Sequence, residues 1–172
     1  CAGDTEKAIA YLRRAGEQAA AQFAHTEAVA YLTRALDLTT EDDAAGRYAL
    51  LLTREGELDL QGAREAQQQD LAALAALAEV LDDPAKQADV ALRRAHYAAR
   101  TQDYSTAADA ARAAVRWAQA AQDVARQAAA RRELGRAFRY LEERELARLE
   151  LERALHLARA AGSRQVEVDA LH

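Results

Sequence analysis

The sequence predicts an all-α fold of about four stacked helical hairpins followed by a partial ninth helix, and three observations predict it. Alanine fills 47 of 172 positions, against 7 glycines, 1 proline and no asparagine, a composition that feeds helices and starves turns. Apolar residues recur at three and four positions, and punctuation falls roughly every 20 residues. The chain also repeats itself. The small residues Gly16, Gly56, Ala95 and Gly135 stand 40, 39 and 40 positions apart, and a fixed period of this kind sets the architecture.

Taken in order, the first unit (4–40) pairs helices over 4–22 and 25–39, with Asp4 and Thr26 placed as capping residues. Thr39-Thr40-Glu41-Asp42-Asp43 interrupts the pattern. The second unit (41–83) then pairs 42–60 with 63–81. Its Gly56 and Ala66 are ten positions apart where the other units have twelve, which predicts a tightened inner turn. Pro84 suits the first turn of a helix after Asp82-Asp83, and the third unit (84–123) pairs 85–101 with 104–121. The fourth (124–163) pairs 124–141 with 144–161 and ends at Gly162-Ser163. Residues 164–172 open a further apolar-periodic segment with Val166, Val168 and Leu171.

Small residues facing each other explain the pairing. With Ala95 on one helix and Ala107 on the next, no bulky side chain separates the axes, which approach at the low end of the roughly 8–10 Å packing range. Leu92, Trp117, Leu134, Phe138, Leu151 and Leu155 are expected to fill the seams between hairpins.

At Gly135, Phe138, Ala147, Leu151 and Ala154, and at the turn Gln102-Asp103-Tyr104, the chain resembles the tetratricopeptide repeat family, in a long-helix variety of about 40 residues per unit. The likeness covers essentially the whole chain, although Asp70 occupies a position that is apolar in the family. It implies a right-handed superhelix whose first helices line a concave groove where partners dock. The segments from Gly3 to Ala15 and from Ala28 to Leu32 are also similar to helical arrays behind the nucleotide-hydrolysing module of large bacterial signalling ATPases. That second likeness implies an excerpt of a larger protein.

Charge narrows the function. The pI near 5.4 argues against nucleic acid as a partner of the whole body. No apolar run approaches a bilayer span, a lone cysteine forms no internal disulfide, and a cytoplasmic protein is expected. Enzyme signatures are missing: there is no phosphate loop, His-Glu-x-x-His or Cys-x-x-Cys, so no catalytic, cofactor or metal residue is assigned. Glu152 and His156 stand one helical turn apart and read as a solvated surface pair. The acidic doublets Asp42-Asp43 and Asp82-Asp83 read as caps.

The candidate site is basic. Arg132, Arg136 and Arg139 share one helical face, and Arg93, His96 and Arg100 share the corresponding face one unit earlier, with Tyr140 at the end of the row for stacking. Arginine outnumbers lysine 21 to 2, and a solvated surface is the commoner account of such rows. Glu17 and Glu57 make the earlier groove more acidic. The expected function is a non-catalytic scaffold that binds a protein or peptide of acidic character, or another domain of its own chain. The alternative is a sensor binding a small anion or nucleic-acid phosphate through the second-half arginines. The family's carboxylate-clamp asparagines have no counterpart here, so that activity is not carried over.

Overall fold

A computed structural model describes residues 2–162, which form eight α-helices and, among the described residues, no strand. They are α1 (Ala2–Ala21), α2 (His25–Leu38), α3 (Ala44–Gln61), α4 (Arg64–Val80), α5 (Pro84–Arg100), α6 (Tyr104–Ala120), α7 (Val124–Tyr140) and α8 (Arg144–Ala160). Each matches a helix expected from the apolar period. The expected segment 164–172 lies outside the described residues.

One backbone device, used again and again, makes the pattern regular. Gly62, Asp82, Gln102, Gln122, Glu142 and Gly162 all have positive φ, between 47° and 71°, and they recur every 20 residues. The residue after each of the first five is the N-cap of the next helix. Hydrogen bonds explain the geometry. At the α5–α6 turn the Gln102 N–H donates to the Ala99 carbonyl and the Asp103 N–H to Ala98, at 3.2 and 2.9 Å. The α3–α4, α6–α7 and α7–α8 turns repeat this double closure. It satisfies carbonyls that a helix end leaves open, so the left-handed residue is tolerated even where it is not glycine.

Capping completes the device. The side chains of Asp43, Asp83, Asp103 and Asp123 accept from backbone N–H groups of the helix they precede. Three of these carboxyls are held below the ordinary range. Lys86 does so for Asp83 through its side chain, Thr106 for Asp103, and the Arg126 N–H for Asp123. Pro84 sits at the start of α5, as expected. Asp4 instead lies within the first turn of α1, and Thr26 lies inside α2. Because the closing turn after α1 places its cap one residue beyond Phe23, Ala24 fills that position without a side-chain bond.

The described residues divide into two compact units, 2–81 and 82–162. In the first, α1 packs on α2, α2 on α3 and α3 on α4. In the second, α5 packs on α6, α6 on α7 and α7 on α8, and α5 also touches α7. The second core is built largely of alanine, with Ala95, Ala98, Ala107, Ala108, Ala111, Ala137 and Ala147 packed around Leu134 and Phe138. Trp117 does not join it. It is 39% exposed, because the buried stripe of α6 runs along Ala107, Ala111, Ala114 and Ala118 instead.

Close approach within hairpins is visible at the glycines. A Cβ placed on Gly135 would stand 2.7 Å from Leu151 Cγ and 3.2 Å from the Ala147 carbonyl oxygen. One on Gly16 would stand 3.0 Å from Leu32 Cγ and 3.4 Å from the Ala28 carbonyl oxygen. The second hairpin breaks the rule. Counting by the turns, the position equivalent to Gly135 and Ala95 is Glu55, not Gly56, and that equivalent to Ala147 and Ala107 is Gln67, not Ala66. The α3–α4 turn is therefore not tightened, and Gly62 and Ala63 keep the 20-residue spacing. A long polar pair fills the small-residue positions: Gln67 Nε2 donates to Glu55 Oε1 at 2.7 Å, with both residues at most 2% exposed.

Candidate partner-binding face of the second unit

The basic rows lie on α5 and α7, the first helices of two successive hairpins, which touch each other. An arginine–carboxylate pair and a histidine–carboxylate contact are found between them. Asp89 on α5 receives Arg126 through Nε and Nη2 at 2.7 and 3.1 Å, and Arg126 also reaches the cap carboxylate of Asp123. Those two carboxylates raise the Arg126 pKa, the Asp89 hydrogen bond most strongly. Farther along, His96 Nε2 on α5 stands 3.5 Å from Glu133 Oε1 on α7.

Glu133 organises the site. It is only 5% exposed, and three of the expected site residues converge on it. Arg132 Nη2 approaches at 2.9 Å and Arg136 Nη1 at 3.5 Å, alongside His96. Burial alone would raise its pKa, and this is the largest single influence. The hydrogen bond and charge of His96, with the charges of Arg132 and Arg136, outweigh it and lower the pKa to about 2. The carboxylate is therefore ionised throughout the physiological range.

The remaining expected residues are distributed around this centre. Arg93 is half-buried and Arg100 exposed on α5, while Arg139 is exposed on α7. Tyr140, 60% exposed, already has one ring face occupied. It stacks on Tyr104 of α6 with centroids 4.3 Å apart and planes 6° from parallel. From the surface, the Arg112 guanidinium lies 5.2 Å from the centroid of buried Phe138. The structure thus gathers His96, Arg132 and Arg136 around one carboxylate and places Tyr140 in an aromatic pair.

Sequence reasoning missed Glu133 and Tyr104. A signal for Glu133 was present, since it lies beside Arg132 and one turn before Arg136. Its burial was hidden because the equivalent position one unit earlier is Arg93. In the first unit Glu57 is only 9% exposed and bonds His25 Nδ1 at 2.6 Å, and Glu17 pairs with Arg13 at 2.8 Å. Glu152 accepts from Arg148 at 3.2 Å. No group of three His, Cys, Asp or Glu among the described residues is placed to hold a metal ion. None of the described helices is long and apolar enough to cross a membrane.

No protein-family model matches the chain, and no curated protein matches it. The fold does have a solved neighbour. The chain is similar to the crystal structure of BtubC (BKLC) from P. vanneervenii, with a TM-score of 0.72 over 96% of this chain and 87% of that one. Sequence identity is 14%, so the likeness is one of fold.

Proposed function

We propose that the chain is a tetratricopeptide-like, right-handed helical-repeat module that acts without catalysis as a protein-interaction or intramolecular regulatory scaffold in the cytoplasm. Its partner is an acidic segment, from another protein or from elsewhere in the same chain. The repeated 20-residue turn and the close hairpin seams support the repeat reading, since hairpins of this kind bury their apolar faces only against neighbours. The observation that carries the partner reading is the balance of charge on the α5–α7 face. On that face His96, Arg132 and Arg136 surround Glu133, and Arg100, Arg136 and Arg139 are exposed on the same two helices. Arg132 pairs with Glu133 and is only 18% exposed, whereas Arg100, Arg136 and Arg139 are the exposed members of the rows, with Tyr140 following Arg139 on α7.

The test is fluorescence anisotropy with a labelled peptide of alternating glutamate and leucine, and a lysine–leucine peptide as control. The intact chain should bind the acidic peptide only, and Arg100→Glu/Arg139→Glu should bind it at least ~10-fold more weakly while its circular dichroism is unchanged. Equal affinity of the two proteins for the acidic peptide would remove the basic face from the mechanism.

A further inference from the structure

In the first unit α2 has 14 residues, against 17 or more in every other helix of the described chain, and the connection to α3 is correspondingly long. The missing last turn of α2 leaves a cavity of about 540 Å³ between the end of α2, the 39–43 connection, α3 and α4. This lies within the size range of small-molecule sites, roughly 300–1,000 Å³. Leu36, Leu51 and Ala73 supply its apolar wall.

A fixed ion pair forms its polar floor. Asp70, 3% exposed, receives Arg54 through Nε and Nη2 at 2.9 and 2.6 Å, and Arg54 Nη1 donates to Thr33 Oγ1 at 2.9 Å. A guanidinium carries five N–H groups, so two of those on Arg54 are left for a ligand. Arg47, also lining the cavity, donates from Nη1 to the Thr39 carbonyl at 3.2 Å and keeps its other N–H groups. On the opposite account stand Asp37 and Glu41, both in the cavity lining. Asp70 and Arg54 neutralise each other, so the wall presents donors from two guanidinium groups and acceptors from two carboxylates to the same space.

We propose that this cavity binds a small zwitterion, an α-amino acid with an apolar side chain. Its carboxylate is received by the Arg47 and Arg54 N–H groups, its ammonium by Asp37 and Glu41, and its side chain by Leu36, Leu51 and Ala73. Neither charge alone satisfies the lining. A simple anion meets Asp37 and Glu41, and a simple cation leaves the guanidinium donors without an acceptor.

Isothermal titration calorimetry of the whole chain tests this with three related probes: L-leucine, 4-methylpentanoate, which lacks the ammonium, and 3-methylbutylamine, which lacks the carboxylate. L-leucine should bind, and each half-molecule should bind at least ~10-fold more weakly, as expected for loss of a charged hydrogen-bonded group. Glu41→Gln and Arg47→Gln should each weaken L-leucine binding to a similar degree. Glu41→Gln is the cleaner of the two, because Arg47 also holds the Thr39 carbonyl. Absence of heat with L-leucine, equal binding of either half-molecule, or unchanged affinity in Glu41→Gln would each overturn the assignment. None of these results depends on the acidic-peptide reading of the second unit.

Discussion

The α3–α4 and α7–α8 hairpins share a turn geometry and a helical register, yet each buries a glutamate in a different way. In α7–α8 the seam is closed by Gly135 against Ala147 and Leu151, and Glu133, two residues away, turns toward α5 to meet His96 there and arginines on its own helix. In α3–α4 the glutamate stands in the seam itself. Glu55 occupies the Gly135 position and is held by Gln67, whose own Oε1 accepts from Arg64 Nη1 at 2.6 Å, while Arg64 also pairs with Asp59. The same backbone repeat accommodates a dry small-residue seam or a hydrogen-bonded polar one. What it requires is that each buried carboxylate find a partner, since an unsatisfied one costs far more than a cavity of equal size.

The largest expected effect is the pH dependence that Glu133 confers on the second unit. Glu133 has its pKa lowered from 4.5 to about 2, so its interactions favour the folded state at any pH above the unfolded-state value and are lost as pH falls through the folded one. The contribution at neutral pH is on the order of 3 kcal/mol, from about 1.4 kcal/mol per pKa unit. Urea denaturation across pH 2 to 6 should show stability falling on the acid side in the intact chain. In Glu133→Gln that fall should be markedly shallower, and parallel curves would mean that His96, Arg132 and Arg136 do not stabilise the carboxylate.

Next in size is a mutant cycle across the α3–α4 seam. Gln67→Ala takes away the amide that holds buried Glu55 and should destabilise by about 1–3 kcal/mol. The double variant Glu55→Ala/Gln67→Ala installs the small pair found at Ala95 and Ala107, and it should recover stability relative to Gln67→Ala alone. A double variant less stable than the single one would show that the polar pair packs the seam in a way alanines do not.

All eight described helices are legible in the sequence, because their apolar period and many of their cap residues are local signals. The seam of the second hairpin was not reached for a physical reason. A search for small residues finds Gly56 and Ala66, each one position from the true seam, because the criterion presumes that a seam is always small. Only the spacing of the turns, with Gly62 and Asp82 in line with Gln102, restores the register. For the candidate face, the arginines and His96 were legible as a helical stripe, whereas the burial of Glu133 depends on which face of α7 meets α5. Likewise, the sequence presents Tyr140 as an open stacking surface, because its partner Tyr104 is 36 positions away and joins it only through the fold.

The smallest expected effect uses the turns themselves. Ala63 stands at the N-cap of α4 with φ −77° and ψ 68°, close to the −83° and 67° of Asp43 and the −87° and 76° of Asp103, both of which cap with their side chains. Aspartate at position 63 therefore meets a backbone already shaped to place its carboxylate against the N–H of Ala66. Ala63→Asp should stabilise by roughly 0.5–1 kcal/mol, and Asp103→Ala should lower stability, both read from urea midpoints at constant slope. If Asp103→Ala loses stability while Ala63→Asp gains none, the equivalence of the two turns is broken at the level of the cap. The nearby Asp59–Arg64 pair, which has no counterpart at the α5–α6 turn because the residues there are Ala99 and Tyr104, is then the feature that sets the second hairpin apart.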